Sequence, residues 1–141
     1  MFDKILLPID LGHPESWEKA LPMARQCAGQ SGEIHLLGIV HDLGAAVVSS
    51  FLPPDFERKA MEKLKADLTN FADTHQSGSV SLKPHVGHGH VPETILRLAD
   101  QIQSDLIVLS ASPPNELKTM LIGSHASKVV RHATMPVLVV R

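Results

Sequence analysis

The sequence is poor in the residues that would staple, stack or anchor it. One cysteine among 141 residues, Cys27, leaves no disulfide framework and no thiolate metal site, which fits a reducing compartment. Tyrosine is absent, and one Trp and four Phe offer few platforms on which bases stack. Lys and Arg number 13 against 15 Asp and Glu, a net charge of −2, so there is no excess of positive charge for a broad nucleic-acid surface. No apolar run approaches the roughly 20 residues that span a bilayer. The opening Met1-Phe-Asp-Lys4 runs straight into a strand-like segment, without the basic, apolar and small-residue regions of a signal peptide. The expectation is a soluble, cytoplasmic protein with no nucleic-acid and no membrane partner. A mean hydropathy of +0.05 is on the apolar side for such a chain and leaves room for an oligomer interface. The length suits one domain, residues 1–141, large enough to bury a core unaided.

What is present is an alternation of two periodicities. Ile5-Leu-Leu-Pro-Ile9, Ile34 to Val40 and Asp105-Leu-Ile-Val-Leu109 are short apolar runs of the kind buried on both faces of a parallel sheet. Val80, Leu82 and Val86 alternate with polar residues, which predicts a more exposed or edge strand, and Val137-Leu-Val-Val140 is the last strand. Between them lie helical spacings. Trp17, Ala20, Leu21, Ala24 and Ala28 mark a first helix closed by Gly29 and Gly32, with Pro22 imposing a kink or a late start. Phe56, Ala60, Leu64, Leu68, Phe71 and Ala72 mark a long amphipathic helix whose Glu, Lys and Arg residues from Glu57 to Asp67 face solvent. A third begins at Val91-Pro92, and a fourth opens at Gly123-Ser124 and carries Val129 and Val130. Asp42 to Pro54 reads as a loop. Strands alternating with helices imply right-handed crossovers and a doubly wound, five-stranded parallel α/β sheet with helices on both faces.

In such a sheet ligands sit beyond the carboxyl ends of the strands, where the strand order reverses. The loops there hold Asp10, Gly87-His-Gly-His90, and the stretch from Ser110 to Ser124. From local residues alone, Asp10 reads first as a turn former or helix cap, and Ser124 as a helix cap after a permissive Gly123, ahead of a ligand role. Neither the G-x4-G-K-S/T nor the G-x-G-x-x-G phosphate motif is present.

Lys4-Ile-Leu-Leu-Pro-Ile-Asp10, Gly89 with Pro92-Glu-Thr-Ile-Leu96, Leu106-Ile-Val-Leu109, Gly123-Ser-His-Ala126, Val129-Val-Arg-His-Ala133 and Pro136-Val-Leu-Val-Val140 together resemble the universal stress protein family over essentially the whole chain. The resemblance implies strand order 3-2-1-4-5 in a Rossmann-like fold of the adenine nucleotide alpha hydrolase kind. It implies a homodimer paired through the C-terminal strand, residues 136–141, and a role in stress or regulatory physiology. Many members hold ATP through G-x2-G-x9-G-S/T. On this chain those positions are Ser110, Pro113, Gly123 and Ser124, so the second half matches and both leading glycines are missing. The resemblance further assigns Asp10, beside Pro8 and Ile9, to the ribose and the backbone near Ile39 to adenine. Leu109, Ser110 and Ser112 flank the sugar and first phosphate, Gly89 permits close approach, and Gly123, Ser124 and His125 meet the phosphates. Pro113 and Pro114 have no N–H, so the cradle loses donors that glycines would supply. The ligand expected is ATP, ADP or AMP, with or without Mg2+, and the chemistry is binding, with at most slow ATP hydrolysis.

Three imidazoles, His85, His88 and His90, stand close together but match no zinc spacing, and exposed loop histidines explain them better. Cys27 is expected as a buried, inert thiol and Trp17 as core or interface packing. Two rival functions stay open. One is a nucleotide-free dimer acting as an interaction module, which Pro113-Pro114 favours. The other is an enzyme on the related fold, against which the missing phosphate motifs speak.

Overall fold

The computed structural model describes residues 1–41, 52–111 and 125–141. Five parallel strands run β1 (Phe2–Pro8), β2 (Ala28–His41), β3 (Ser81–Gly89), β4 (Leu106–Ser110) and β5 (Val137–Val140). They lie side by side in the order β3-β2-β1-β4-β5. Among the described residues four helices connect them: α1 (Ala20–Cys27), α2 (Phe56–His75), α3 (Val91–Ile102) and α4 (Ala126–His132).

Period-two alternation assigns the side chains to two layers. Ile5, Leu7, Ile9, Leu36, Leu106 and Val108 face α1 and α2, where they meet Leu21, Ala24, Leu68 and Phe71. Leu6, Leu37, Ile107 and Leu109 face α3 and α4, against Val91, Ile95, Ala99 and Val129. The central strands are fully covered, so their runs read as continuously apolar. Strand β3 lies at one edge, as expected, but its burial does not alternate along its length: Leu82 is buried, Lys83 exposed and the rest half-buried.

Local chemistry sets the element ends. Asp105 stands just before β4, and its carboxylate accepts the N–H groups of Asp3 and Lys4 at 2.8 and 3.0 Å, clipping β4 to β1. A short 3-10 turn, Pro14–Ser16, precedes α1, which starts only at Ala20. The late start places Pro22 in the first turn, where a missing N–H costs no helical bond. Helix α1 stops at Cys27, and the strand begins at Ala28, earlier than Gly29 and Gly32 suggested. Phe2 pairs with Ala28 and Lys4 with Glu33, so two steps of β1 span five of β2. The two glycines lie within that bulge, and the extended edge of β1 recruits residues that look like a turn.

Trp17 packs against the first layer and meets Phe71 edge-on, with ring centroids 5.1 Å apart. Cys27 is half-buried at the margin of that layer, short of the full burial expected of it. The polar face of α2 carries exposed i,i+4 ion pairs, Arg58–Glu62 at 2.8 Å and Lys63–Asp67 at 2.9 Å. Among the described residues no helix is long and apolar enough to cross a membrane.

Candidate functional site

The chain passes from β3 on one flank of β1 to β4 on the other, so the strand order reverses between β1 and β4. The carboxyl ends of β1, β2, β3 and β4 therefore form the edge on which ligands of such folds sit.

One half of this edge is built around Asp10. Its carboxylate accepts the Gly12 N–H at 3.0 Å and is bonded to His13 Nδ1 at 2.7 Å. The Asp10 N–H donates to Ser16 Oγ at 2.9 Å, and that hydroxyl donates back to the Asp10 carbonyl at 3.1 Å. Asp10 is thus a turn former, as its residue type suggested. It is also a half-exposed carboxylate held in one orientation, with lone pairs left for further hydroxyl donors. Ser110, at the end of β4, donates its hydroxyl to the Glu15 carbonyl at 2.9 Å and so ties the turn after β1 to β4. The ladder runs on past β1, since the Ile9 N–H donates to the Leu37 carbonyl at 2.9 Å.

The other half lies where β3 turns into α3. Gly89 has φ +119°, a conformation that side chains rarely adopt. His90 then caps α3, with Pro92 in its first turn. A cleft of about 290 Å³ opens here, lined by Gly89, His90, Pro92, Glu93, His125 and Lys128. The positive end of α3 faces it. The backbone hydrogen bond at Glu93 lowers that carboxyl's pKa, and Lys128, 3.5 Å away, adds to the effect.

Asp10 and Ser110 meet at the first half, through the turn from His13 to Ser16, and Gly89 and His125 meet at the second. Ile39 pairs in register with Gly87 and packs into the α3 and α4 layer. Pro8, Ile9 and Leu109 are buried, so only their backbone faces the edge. Ser112, Pro113, Pro114, Gly123 and Ser124 lie outside the described residues, as does most of the loop from Asp42 to Pro54. His13, Ser16 and Lys128 were not read from the sequence as site residues. The Asp-x-Gly-His run from Asp10 to His13 was the available signal for His13. Lys128 had none, because one exposed helical lysine looks like another. Among the described residues no three His, Cys, Asp or Glu side chains come together as a metal site.

The architecture is a doubly wound α/β domain with a cleft at its carboxyl edge. The universal stress protein family is matched across residues 1–141, and the chain belongs to that family. Universal stress protein G of Salmonella typhimurium is 32% identical over 143 residues, covering 100% of both chains. Among solved structures, hypothetical protein MJ0577 superposes with a TM-score of 0.78 at 26% identity, covering 99% of this chain and 96% of that one. The fold is shared with a universal stress protein in complex with cAMP, at 16% identity, TM-score 0.66 and coverage of 99% and 97%. It is shared also with a family protein of Arabidopsis thaliana with AMP bound, at 15% identity, TM-score 0.57 and coverage of 98% and 90%.

Proposed function

We propose that this universal stress protein binds an adenine nucleotide at the carboxyl edge of its sheet and uses occupancy as a regulatory signal. The observation that carries this reading is the pairing of two complementary half-sites on one edge. Asp10, held by Gly12 and His13, suits ribose hydroxyls. The cleft beside Gly89, His90, His125 and Lys128 suits a phosphate at a helix N-terminus. The cAMP and AMP held by family members of the same fold support an adenine nucleotide as the ligand.

Pro113 and Pro114 bring no N–H to the cradle, which favours AMP or ADP over ATP. Mg2+, where it accompanies the nucleotide, takes its ligands from phosphate oxygens and water. The chemistry is binding; ATP hydrolysis, if measured, is slow, because no general base or arginine finger is identified. The protein acts in the cytoplasm as a homodimer paired through residues 136–141.

Calorimetric titration with ATP, ADP and AMP, with and without Mg2+, tests this reading. Saturable binding that Gly123→Pro weakens is the expected result. No heat at millimolar nucleotide overturns it in favour of a nucleotide-free interaction module, the reading that Pro113-Pro114 favours. Turnover at ordinary enzyme rates, abolished by Asp10→Ala, overturns the binding-only chemistry. A monomer mass by light scattering at high concentration rejects the dimer.

A further inference from the structure

Away from the site, four side chains on β2 and β3 form a single chain of hydrogen bonds on the α3 side of the sheet. Lys83 Nζ donates to Glu33 Oε1 at 2.7 Å, and His35 Nε2 is bonded to Glu33 Oε2 at 2.9 Å. His35 Nδ1 then meets His85 Nε2 at 2.7 Å, with the rings stacked 5.0 Å apart and 21° from parallel. His35 is 6% exposed, whereas His85 is half-buried and lines an open groove between α2 and α3 with Met61, Glu62, Lys65, Leu98 and Gln101.

Proton counting decides what this arrangement tolerates. An ionised carboxylate only accepts, so His35 Nε2 carries a proton. The link between the rings holds one proton, whichever nitrogen owns it. With both rings neutral, that proton sits on His85 Nε2 and the chain is intact. One further proton goes to His85 Nδ1 or, equivalently, makes His35 the cation, and the chain is still intact. A second further proton puts N–H groups on both sides of the 2.7 Å contact and adds a second positive charge. The chain cannot hold then, and His85 is the ring with somewhere to go.

We propose that the His35–His85 pair is a proton-operated latch on the edge strand β3, closed through the first protonation and opened by the second, with His85 swinging into the groove between α2 and α3. The charged groups facing the pair are Glu33 and Lys83 on the strands and Lys65 and Glu62 on α2. Helix α3 presents Leu98 and Gln101 to the groove, and the adjoining cleft adds Arg97 of α3 and His88 of β3. Glu33 is kept ionised, its pKa lowered to about 2 by the hydrogen bonds from Lys83 and then His35. Burial lowers the His85 pKa, and the charges of His35, Lys65 and Lys83 act in the same direction. Folded His85 therefore binds fewer protons than the unfolded chain below the ordinary value of 6.5. Its contribution to stability is complete above that value and is lost as pH falls through the folded value.

The experiment is an NMR titration of the histidine rings from about pH 8 to about pH 5, with amide exchange followed in parallel. The two rings are expected to titrate as a coupled pair, in two steps shared between them. Across that second step, protection factors in β3 fall about tenfold while those of β1 and β4 hold, the response of a local opening. His85→Gln, whose amide can donate or accept towards His35, removes the second step and the fall in protection. Rings that titrate in independent single steps, β3 protection that ignores the second step, or a His85→Gln protein that keeps the fall would each overturn the latch.

Discussion

Along β3, one outer edge of the sheet, side chains reach in to occupy the backbone. Gln76 accepts the Leu82 N–H at 3.0 Å and donates to the Val80 carbonyl at 2.7 Å. Lys65 donates to the Pro84 carbonyl at 2.7 Å, and Pro84 has no N–H to offer. Arg97 reaches the His88 carbonyl at 3.4 Å. At the opposite edge, four-residue β5 has no side chain bonded to its outer backbone among the described residues. Val139 is 36% exposed there and Val130, on adjoining α4, is 51% exposed. A parallel sheet leaves two edges that could template another strand, and charge, proline and side-chain cover are how proteins close one. Among the described residues, side chains cover the β3 edge and none covers the β5 edge, which is the edge the proposed dimer uses.

The largest expected effect comes from prising the closed edge away from its helix. A Cβ on Gly87 would stand 2.4 Å from Thr94 Cγ2. Gly87→Ala should therefore cost about 1–3 kcal/mol in denaturant unfolding. An unchanged midpoint would mean that β3 is not pressed on α3. Next, Val139→Asp sets a charge on the open edge and should raise the dimer dissociation constant about tenfold, or roughly 1.4 kcal/mol. Ultracentrifugation reads this directly, and an unaffected dimer would place its interface elsewhere. Gln76→Ala uncovers part of the closed edge and should cost about 1 kcal/mol, with new association at high concentration if the cover is what prevents it. The smallest effect is electrostatic. Glu33 has a pKa lowered from 4.5 to about 2, so its contribution to stability is present above 4.5 and lost as pH falls towards 2. Glu33→Gln should flatten that part of an acid-unfolding profile by less than about 1 kcal/mol, since solvent screens the partly exposed pair with Lys83.

Much of this contrast is legible in the sequence. The alternation of Val80, Leu82 and Val86 marked β3 as an edge, and the unbroken run from Leu106 to Leu109 marked β4 as central. Asp10 was legible as a turn former from its residue type, and the family resemblance alone made it a candidate for the site. What escaped reading depends on register. His35 and His85 meet because Leu37 pairs with His85 and His35 with Lys83, a relation set by strand alignment across 50 residues. The early start of β2 escaped for a similar reason, since Gly29 and Gly32 signal a break until β1 is there to pair with Ala28. Lys128 joined the cleft only when α3 and α4 were laid side by side.

Amide chemical-shift mapping with AMP tests the central claim most directly. The account predicts saturable shifts clustered at Asp10, Gly12, Ile39, Gly89, His90, Ser110 and His125, with the β3 groove around His85 and the β5 edge unmoved. Shifts confined to that groove or that edge, or none at millimolar AMP, would contradict it.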